Sequence, residues 1–483
     1  MSVLSDYEPK KVLQYFEKIA SIPHGSTNTK QISDYVVSFA KEHGLKYLQD
    51  KSNNVIIWKD GTKGYEESPT VMIQGHLDMV CEKEPDLEFD FEKDGLELMV
   101  EDNILTAKGT TLGADDGIAV AYALAILDSD DIEHPPLEVV FTTDEEIGML
   151  GAAAMDTTPL KAKYMINIDS EEEGYLLVSC AGGTTAVCTF EVEREEFDGI
   201  PALIHVKDGF GGHSGVEIDK GRANANKEMG RFLYNLSKQF DFRLVKVSGG
   251  SKDNAIPLES KAHVVFAKDT DMEALYAVIQ DFNAILKFEY QVNDPNIKIV
   301  LKTEVDTPYV PMTKDWTKRI ITALFNMPWG IQKMSPDIEG LVQTSLNMGI
   351  LKCNAEKVVC SFSVRSSVES EKNELVERIE CLTDMLGGTF SEFGDYPAWQ
   401  YNPDSKLREI MIEVFEKQYG HKPIIQALHA GVECGLFAGK IDGLDCVSFG
   451  PDLKDVHTFN ETLDLASAER TWEYLLAVLK SLK

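Results

Sequence analysis

Val71-Met-Ile-Gln-Gly-His-Leu-Asp78 is the stretch on which the reading of this chain turns. Three apolar residues run into a glycine and a His-x-Asp pair, the outline of a buried strand that ends at a site. Side chains two apart in an extended chain project to one side, so His76 and Asp78 face one spot. The carboxyl end of a strand in an α/β sheet is where ligands usually sit. One reading is a metal-binding His76 whose second ring nitrogen is held by a carboxylate such as Asp78. The other is a strand-to-turn junction whose histidine satisfies its own hydrogen bonds.

The following segments weigh toward the metal. Lys108-Gly-Thr-Thr-Leu-Gly-Ala-Asp-Asp-Gly117 is a glycine-rich loop opening onto the apolar run Ile118–Leu127, which reads as a buried helix. Capping a helix needs one acid, and Asp115 and Asp116 supply two, which points to a charged group opposite them. No Lys-Ser/Thr follows Gly117, so a phosphate loop is excluded. Leu137–Thr142 reads as a strand running into Thr143-Asp-Glu-Glu-Ile-Gly148, and Met165–Asp169 as another ending in an acid. Acids at the ends of buried strands are costly unless paired or metal-bound. Glu145 and Glu146, being adjacent, cannot point alike, which suits one carboxylate on a metal and one acting as a base. Carboxylates and a histidine converging at one sheet edge are the inventory of a two-metal hydrolytic site.

Upstream, Val12, Tyr15, Phe16 and Ile19, and then Ile32, Val36, Val37 and Phe39, mark two helices; His24, between them, reads as a loop residue. Downstream of Gly183 the alternation changes to that of half-exposed antiparallel strands, as in Thr185–Val192 and Ala202–Lys207. Helices are expected at 223–236 and 272–285, and strands at 297–302 and 358–364. His213, set among glycines in Gly209–Gly215, has no apolar face to pack against, and Arg365 closes a strand as a plausible carboxylate clamp. The last part returns to helix at 407–419, a strand at 446–449 leading to His457, and a helix at 463–482. The expected organisation is a split domain, 1–184 and 397–483, interrupted by an α+β insert at 185–396.

With 483 residues and 43% hydrophobic content, the chain has material for more than one core. A formal net charge of −33 speaks against nucleic acid or an anionic membrane as partner and is compatible with attracting cations. No apolar run reaches membrane-span length, and the acidic start does not read as a signal peptide. The 8 cysteines, Cys81 to Cys446, form no CxxC pair and read as reduced thiols of a cytoplasmic protein.

Taken together, Gly75-His-Leu-Asp78, Gly113-Ala-Asp-Asp-Gly117, Asp144-Glu-Glu-Ile-Gly148, Ile168-Asp169 and His457 resemble the signature set of the M20 family of co-catalytic metallopeptidases. Leu176–Gly183, Gly211–Val216, Asp253–Pro257, His429–Gly435 and Gly450-Pro451 resemble its aminoacyl-histidine dipeptidase branch. The resemblance runs through the whole chain in order. It implies an α/β fold, a zinc-peptidase-like catalytic domain with a mixed sheet flanked by helices, interrupted by an α+β lid of one or two α/β subdomains. It implies two divalent ions per subunit, zinc with manganese or cobalt as alternatives. His76, Asp115 and Asp169 would hold one, and Asp115, Glu146 and His457 the other. Asp78 would orient His76, Glu145 would be the general base, and the Asp115–Asp116 peptide would be cis.

His213 would stabilise the carbonyl oxygen from within its own chain. Asn254 and Arg365, with the backbone around Gly431, would grip a substrate carboxylate, and Glu433 would meet a free amine. The expected activity is hydrolysis of short peptides, Xaa-His dipeptides and β-alanyl-histidine among them, by a cytoplasmic homodimer. Competing readings are a tripeptide aminopeptidase or N-acyl amino acid deacylase of the same family, and a non-catalytic metal- or peptide-binding protein on the same fold.

Overall fold

A computed structural model describes residues 3–303 and 305–483. The chain divides into two units. One holds the chain up to Cys180 with Tyr401–Ala427 and Val432–Lys483; the other is Ala181–Gln400 with Leu428–Gly431.

The first unit is built on an eight-stranded mixed sheet. Its strands lie in the order Lys46–Gln49, Val55–Lys59, Leu137–Thr142, Val71–His76, Tyr164–Asn167, Asp445–Ser448, Tyr175–Cys180 and Ile424–Leu428. The four central strands, from Leu137–Thr142 to Asp445–Ser448, run parallel. Val71–His76 and Leu137–Thr142 are buried along their whole length, which is why both read as nearly unbroken apolar runs. Their register sets His76 beside Thr142 and Gln74 beside Asn167, so the loops that begin at Thr143 and Ile168 leave the sheet at the same edge as His76.

Helix Ala114–Leu127 is apolar on every side and almost wholly buried, between the helix Lys10–Ala20 and the strand Val71–His76. Its first residues are not helical: Asp115 and Asp116 depart from helical backbone angles, and the peptide between them is cis. Gly113 precedes them with φ +65, and a Cβ there would lie 2.9 Å from Met79 Sδ. The closing helix, Leu465–Ser481, is capped by Asp464, whose Oδ1 accepts from Ala466 and Ser467 N–H at 2.9 and 3.0 Å.

The second unit carries one nine-stranded sheet, so both halves of the insert share a continuous layer. Among the described residues its strands pair antiparallel, in keeping with the alternating burial of Gly182–Glu191 and Gly199–Lys207. A large core gathers Phe190, Phe232, Phe266, Phe282 and Phe362, with Phe232 and Phe282 supplied by helices Ala225–Ser237 and Met272–Glu289. Among the described residues no helix is long and apolar enough to cross a membrane, and all eight cysteines are free thiols.

The helix seats on the central strand through Gly75. A Cβ at that position would lie 2.6 Å from Asp116 Oδ2 and 2.8 Å from Ala119 Cβ. Gly75→Ala is expected to lower the unfolding free energy by about 1–3 kcal/mol through overpacking. Urea melts of the metal-free protein would read this, and unchanged stability would contradict the packing described.

Candidate metal centre

Five chain segments, carrying His76, Asp115, Glu146, Asp169 and His457, meet at the carboxyl edge of the parallel strands. The His76 side chain is 1% exposed. Its Nδ1 lies 3.0 Å from the backbone carbonyl of Asp78 and 3.6 Å from Asp78 Oδ1. The nearer partner is therefore the main chain rather than the carboxylate, and Nε2 is turned to the cluster. From Nε2, Asp115 Oδ1 is at 3.1 Å and Asp169 Oδ1 at 3.6 Å. The other oxygen of Asp115 is 3.0 Å from His457 Nε2, which also lies 3.0 Å from Glu146 Oε2. Asp115 thus stands between the two imidazoles, one carboxylate oxygen toward each.

Asp78 organises the acidic loop through its backbone. Its Oδ1 accepts from Glu145 N–H at 3.0 Å, and its Oδ2 from Glu146 N–H at 3.4 Å and from Ser26 Oγ at 2.8 Å. The loop is also tied by Asp144, at φ +54, whose Oδ1 accepts from Thr27 N–H at 2.6 Å. Asp116, a possible cap by sequence, instead turns its Oδ2 to the His76 N–H at 3.1 Å. Glu433 is fully buried, with Oε2 accepting from Thr142 Oγ1 at 2.7 Å and Gln74 Nε2 at 2.5 Å, while Oε1 has no partner.

The electrostatics follow from acids outnumbering bases in a buried space. Burial would lower the His76 imidazole, but its contacts with Asp115, Asp169 and Asp78 outweigh it and hold it well above the usual range. His457, bonded to Asp115 and Glu146, is pushed up to about 11. Burial works to raise Asp115, yet the two imidazoles prevail and keep it low. Burial raises Asp116 and Asp169. It also pushes Glu145 up to about 9, against His76 and with help from Asp169, Glu433 and Glu146.

These residues fit divalent cations. Two sets, His76 with Asp116 and Asp169, and His76 with Asp115 and Glu146, each offer ligand atoms within 4.8 Å of one another. Glu146 Oε1 is buried with no hydrogen-bond partner, and the excess of carboxylates over the two imidazoles calls for further positive charge. Imidazole and carboxylate donors without thiolate suit zinc, manganese or cobalt alike.

The remaining sequence-predicted residues, His213, Asn254, Arg365 and Gly431, belong to the second unit. There Gly215 and Val216 N–H groups donate to His213 Nδ1 at 3.1 and 3.2 Å. Nδ1 is thereby an acceptor, and the neutral ring carries its proton on Nε2. Burial, then the Arg365 charge, lower its pKa, with Glu217 opposing. Arg365, 9% exposed, donates from Nη1 to Tyr396 Oη at 2.9 Å, and its Nε is buried without a partner. The backbone carbonyl of Asn254 accepts from Ser214 N–H at 2.9 Å, tying the strand of one candidate to the loop of another.

Sequence reasoning missed three participants. His429, buried against Ser345 Oγ at 2.7 Å, is pushed down to about 3 by burial, Arg365 and His213. Tyr396 lies far along the chain from Arg365, with no signal to link them. Glu461 accepts from the backbone N–H groups of residues 112–115, partners that leave no trace in the sequence.

A family model for peptidase family M20/M25/M40 matches residues 72–481. The chain belongs to that family. It is 35% identical over 489 aligned residues to the cytosol non-specific dipeptidase of Escherichia coli (strain K12), covering 100% of this chain and 99% of that protein. The crystal structure of aminoacylhistidine dipeptidase from Vibrio alginolyticus superposes with a TM-score of 0.93 at 37% identity, covering 99% of this chain and 97% of that one. Aminopeptidase PepT from Bacillus cereus shares the fold at a TM-score of 0.56 and 15% identity, over 99% of each chain. The fold is therefore that of the M20 peptidases, and the enzyme class that of hydrolases acting on peptide bonds.

Ligation requires neutral imidazoles and ionised carboxylates, so metal and protons compete. The ligand imidazoles of His76 and His457, held high by the acids around them, must surrender their protons as the ions bind. Metal affinity is expected to rise with pH through the neutral range. Calorimetric titrations at pH 7 in buffers of different ionisation enthalpy should show proton release on metal uptake; an enthalpy independent of buffer would contradict it.

Proposed function

We propose that this protein is a dinuclear metallo-dipeptidase that hydrolyses short peptides bearing a free C-terminal carboxylate, Xaa-His dipeptides including β-alanyl-histidine among them. The observation that carries the reading is the Asp115 carboxylate between His76 Nε2 and His457 Nε2, at 3.1 and 3.0 Å, with Glu145 fixed alongside by Asp78. Similarity to the dipeptidases of Escherichia coli and Vibrio alginolyticus supports the dipeptide class. Similarity to the cytosol dipeptidase of Escherichia coli, with eight free thiols, supports a cytoplasmic setting. A homodimer is part of the proposal.

In this reading His76, Asp115 and Asp169 hold one ion and Asp115, Glu146 and His457 the other; Asp116 is left out because its Oδ2 is engaged with the His76 N–H. When bound, two such ions supply Lewis acidity and a water of lowered pKa. Glu145 takes a proton from the attacking water and returns it to the leaving amine nitrogen. A carboxyl raised by burial toward working pH suits both halves of that transfer. His213 serves as a neutral donor to the developing oxyanion through Nε2–H, the nitrogen its backbone contacts leave free. Arg365 and Asn254, with the backbone at Gly431, receive the substrate carboxylate, for which the guanidinium fork is suited. Glu433, with a buried oxygen lacking a partner, receives the free amine. Residues 185–396 form the lid, between catalytic segments 1–184 and 397–483.

A panel of Xaa-His, Xaa-Leu, a tripeptide and an N-acetylated amino acid tests this. The metal-loaded protein should cleave the free dipeptides. Glu145→Ala should lose roughly 10²–10⁴-fold in kcat while keeping its metal. Cleavage of only the acylated compound would move the protein to the deacylases, and metal binding with no turnover of any substrate would sink the peptidase reading. His213→Ala should cost about 10²–10³-fold in kcat with little change in KM, as loss of an oxyanion donor does; a pure KM effect would contradict that role.

A further inference from the structure

The carboxylate of Glu461 is 2% exposed and accepts from four successive backbone N–H groups. Leu112 and Gly113 donate to Oε2 at 2.8 and 3.0 Å, and Ala114 and Asp115 to Oε1 at 2.9 and 3.2 Å. Leu112 and Gly113 precede the buried helix and Ala114 and Asp115 open it, where backbone N–H groups have no acceptor within the helix, so the carboxylate supplies the partner they lack. Each oxygen serves two donors, which defines both the position and the tilt of the segment.

Glu461 shares its loop with His457. That loop is closed on itself by Thr458 Oγ1 donating to the Asp455 carbonyl at 2.7 Å and by Glu461 N–H donating to the Thr458 carbonyl at 3.1 Å. One short segment thus carries an imidazole of the cluster and also grips the backbone of Asp115, whose Oδ2 faces that same imidazole at 3.0 Å. His76 and Asp169 come from strand ends that Glu461 does not touch.

We propose that Glu461 is a positioning residue for the ion held by Asp115, Glu146 and His457, locking the two ligand-bearing segments at a fixed separation. This rests on the two-ion reading above. Glu461→Gln keeps the shape but turns an NH2 group toward two N–H donors, so half of the clamp is lost.

The test is Mn2+ titration of the metal-free full-length protein by calorimetry, with thermal melts and backbone amide exchange on the same samples. Expected for Glu461→Gln is weaker binding of both ions, which share Asp115: the ion that also uses His457 by about 10–100-fold, the range for loss of an outer partner of a metal ligand, and the other by less. Turnover should recover as Mn2+ is raised, and the amides of residues 112–115 should lose protection. Both ions bound as in the wild type, with only the melting temperature lowered, would overturn the proposal and leave Glu461 a structural strut. If the variant does not fold, the wild type still decides: amides of Leu112–Asp115 must exchange as slowly as those of Ile118–Leu127, and exchange at open-loop rates would overturn it. A wild type that takes up no Mn2+ would defeat the two-ion reading instead, with slow exchange of those amides still distinguishing the clamp from that failure.

Discussion

Too many carboxylates lie buried in one place, and the rest of the first unit depends on that imbalance. Asp78, Asp115, Asp116, Glu145, Glu146 and Asp169 gather at one sheet edge with only His76 and His457 as cationic side chains among the contacts described. Burying charge at this density is unfavourable unless something positive is supplied. In the metal-free protein protons fill that role, which is why both imidazoles are held high and Glu145 rises. The arrangement is stable as a fold because the parallel strands beneath it are buried from end to end.

The acids divide into those that face the centre and those that face the backbone. Asp78 and Glu461 spend their oxygens on main-chain N–H groups, Asp78 on the loop of Glu145 and Glu146, Glu461 on the loop of Asp115. Loops cannot hold a ligand geometry on their own, and a buried anion taking several amides gives them the rigidity of the sheet. The second unit uses the same device in another form. Backbone amides of Gly215 and Val216 select the tautomer of His213, and Glu217 Oε2 accepts from the His213 N–H at 2.8 Å.

Much of this was legible in the sequence. Strands that end in His76, Thr142 and Asn167 announce themselves as apolar runs, and the acids that follow them are conspicuous because such ends rarely carry charge. Helix Ala114–Leu127 is equally plain from Ile118 onward. What escaped notice has physical reasons. Strand Val342–Cys353 buries Gln343, Thr344, Ser345 and Asn347, so it lacks the apolar signature of a core strand. Helix Glu369–Met385 buries a narrow stripe, Leu375, Val376 and Ile379, inside a strongly charged segment that hides its period. Helix Lys314–Asn326 was not anticipated either. Glu461 is invisible because its partners are backbone amides far away in sequence, and main-chain donors leave no residue-type trace.

The central claim is that the Asp115 carboxylate is shared by two ions in a hydrolytic centre. Anomalous scattering from crystals grown with Mn2+ tests it most directly. The account expects two peaks, one beside His76 Nε2 and Asp169 and one beside His457 Nε2 and Glu146, separated by roughly 3.5–4 Å as in two-metal hydrolases. A single peak away from Asp115, or none at this cluster in crystals that bind Mn2+ elsewhere, would contradict it.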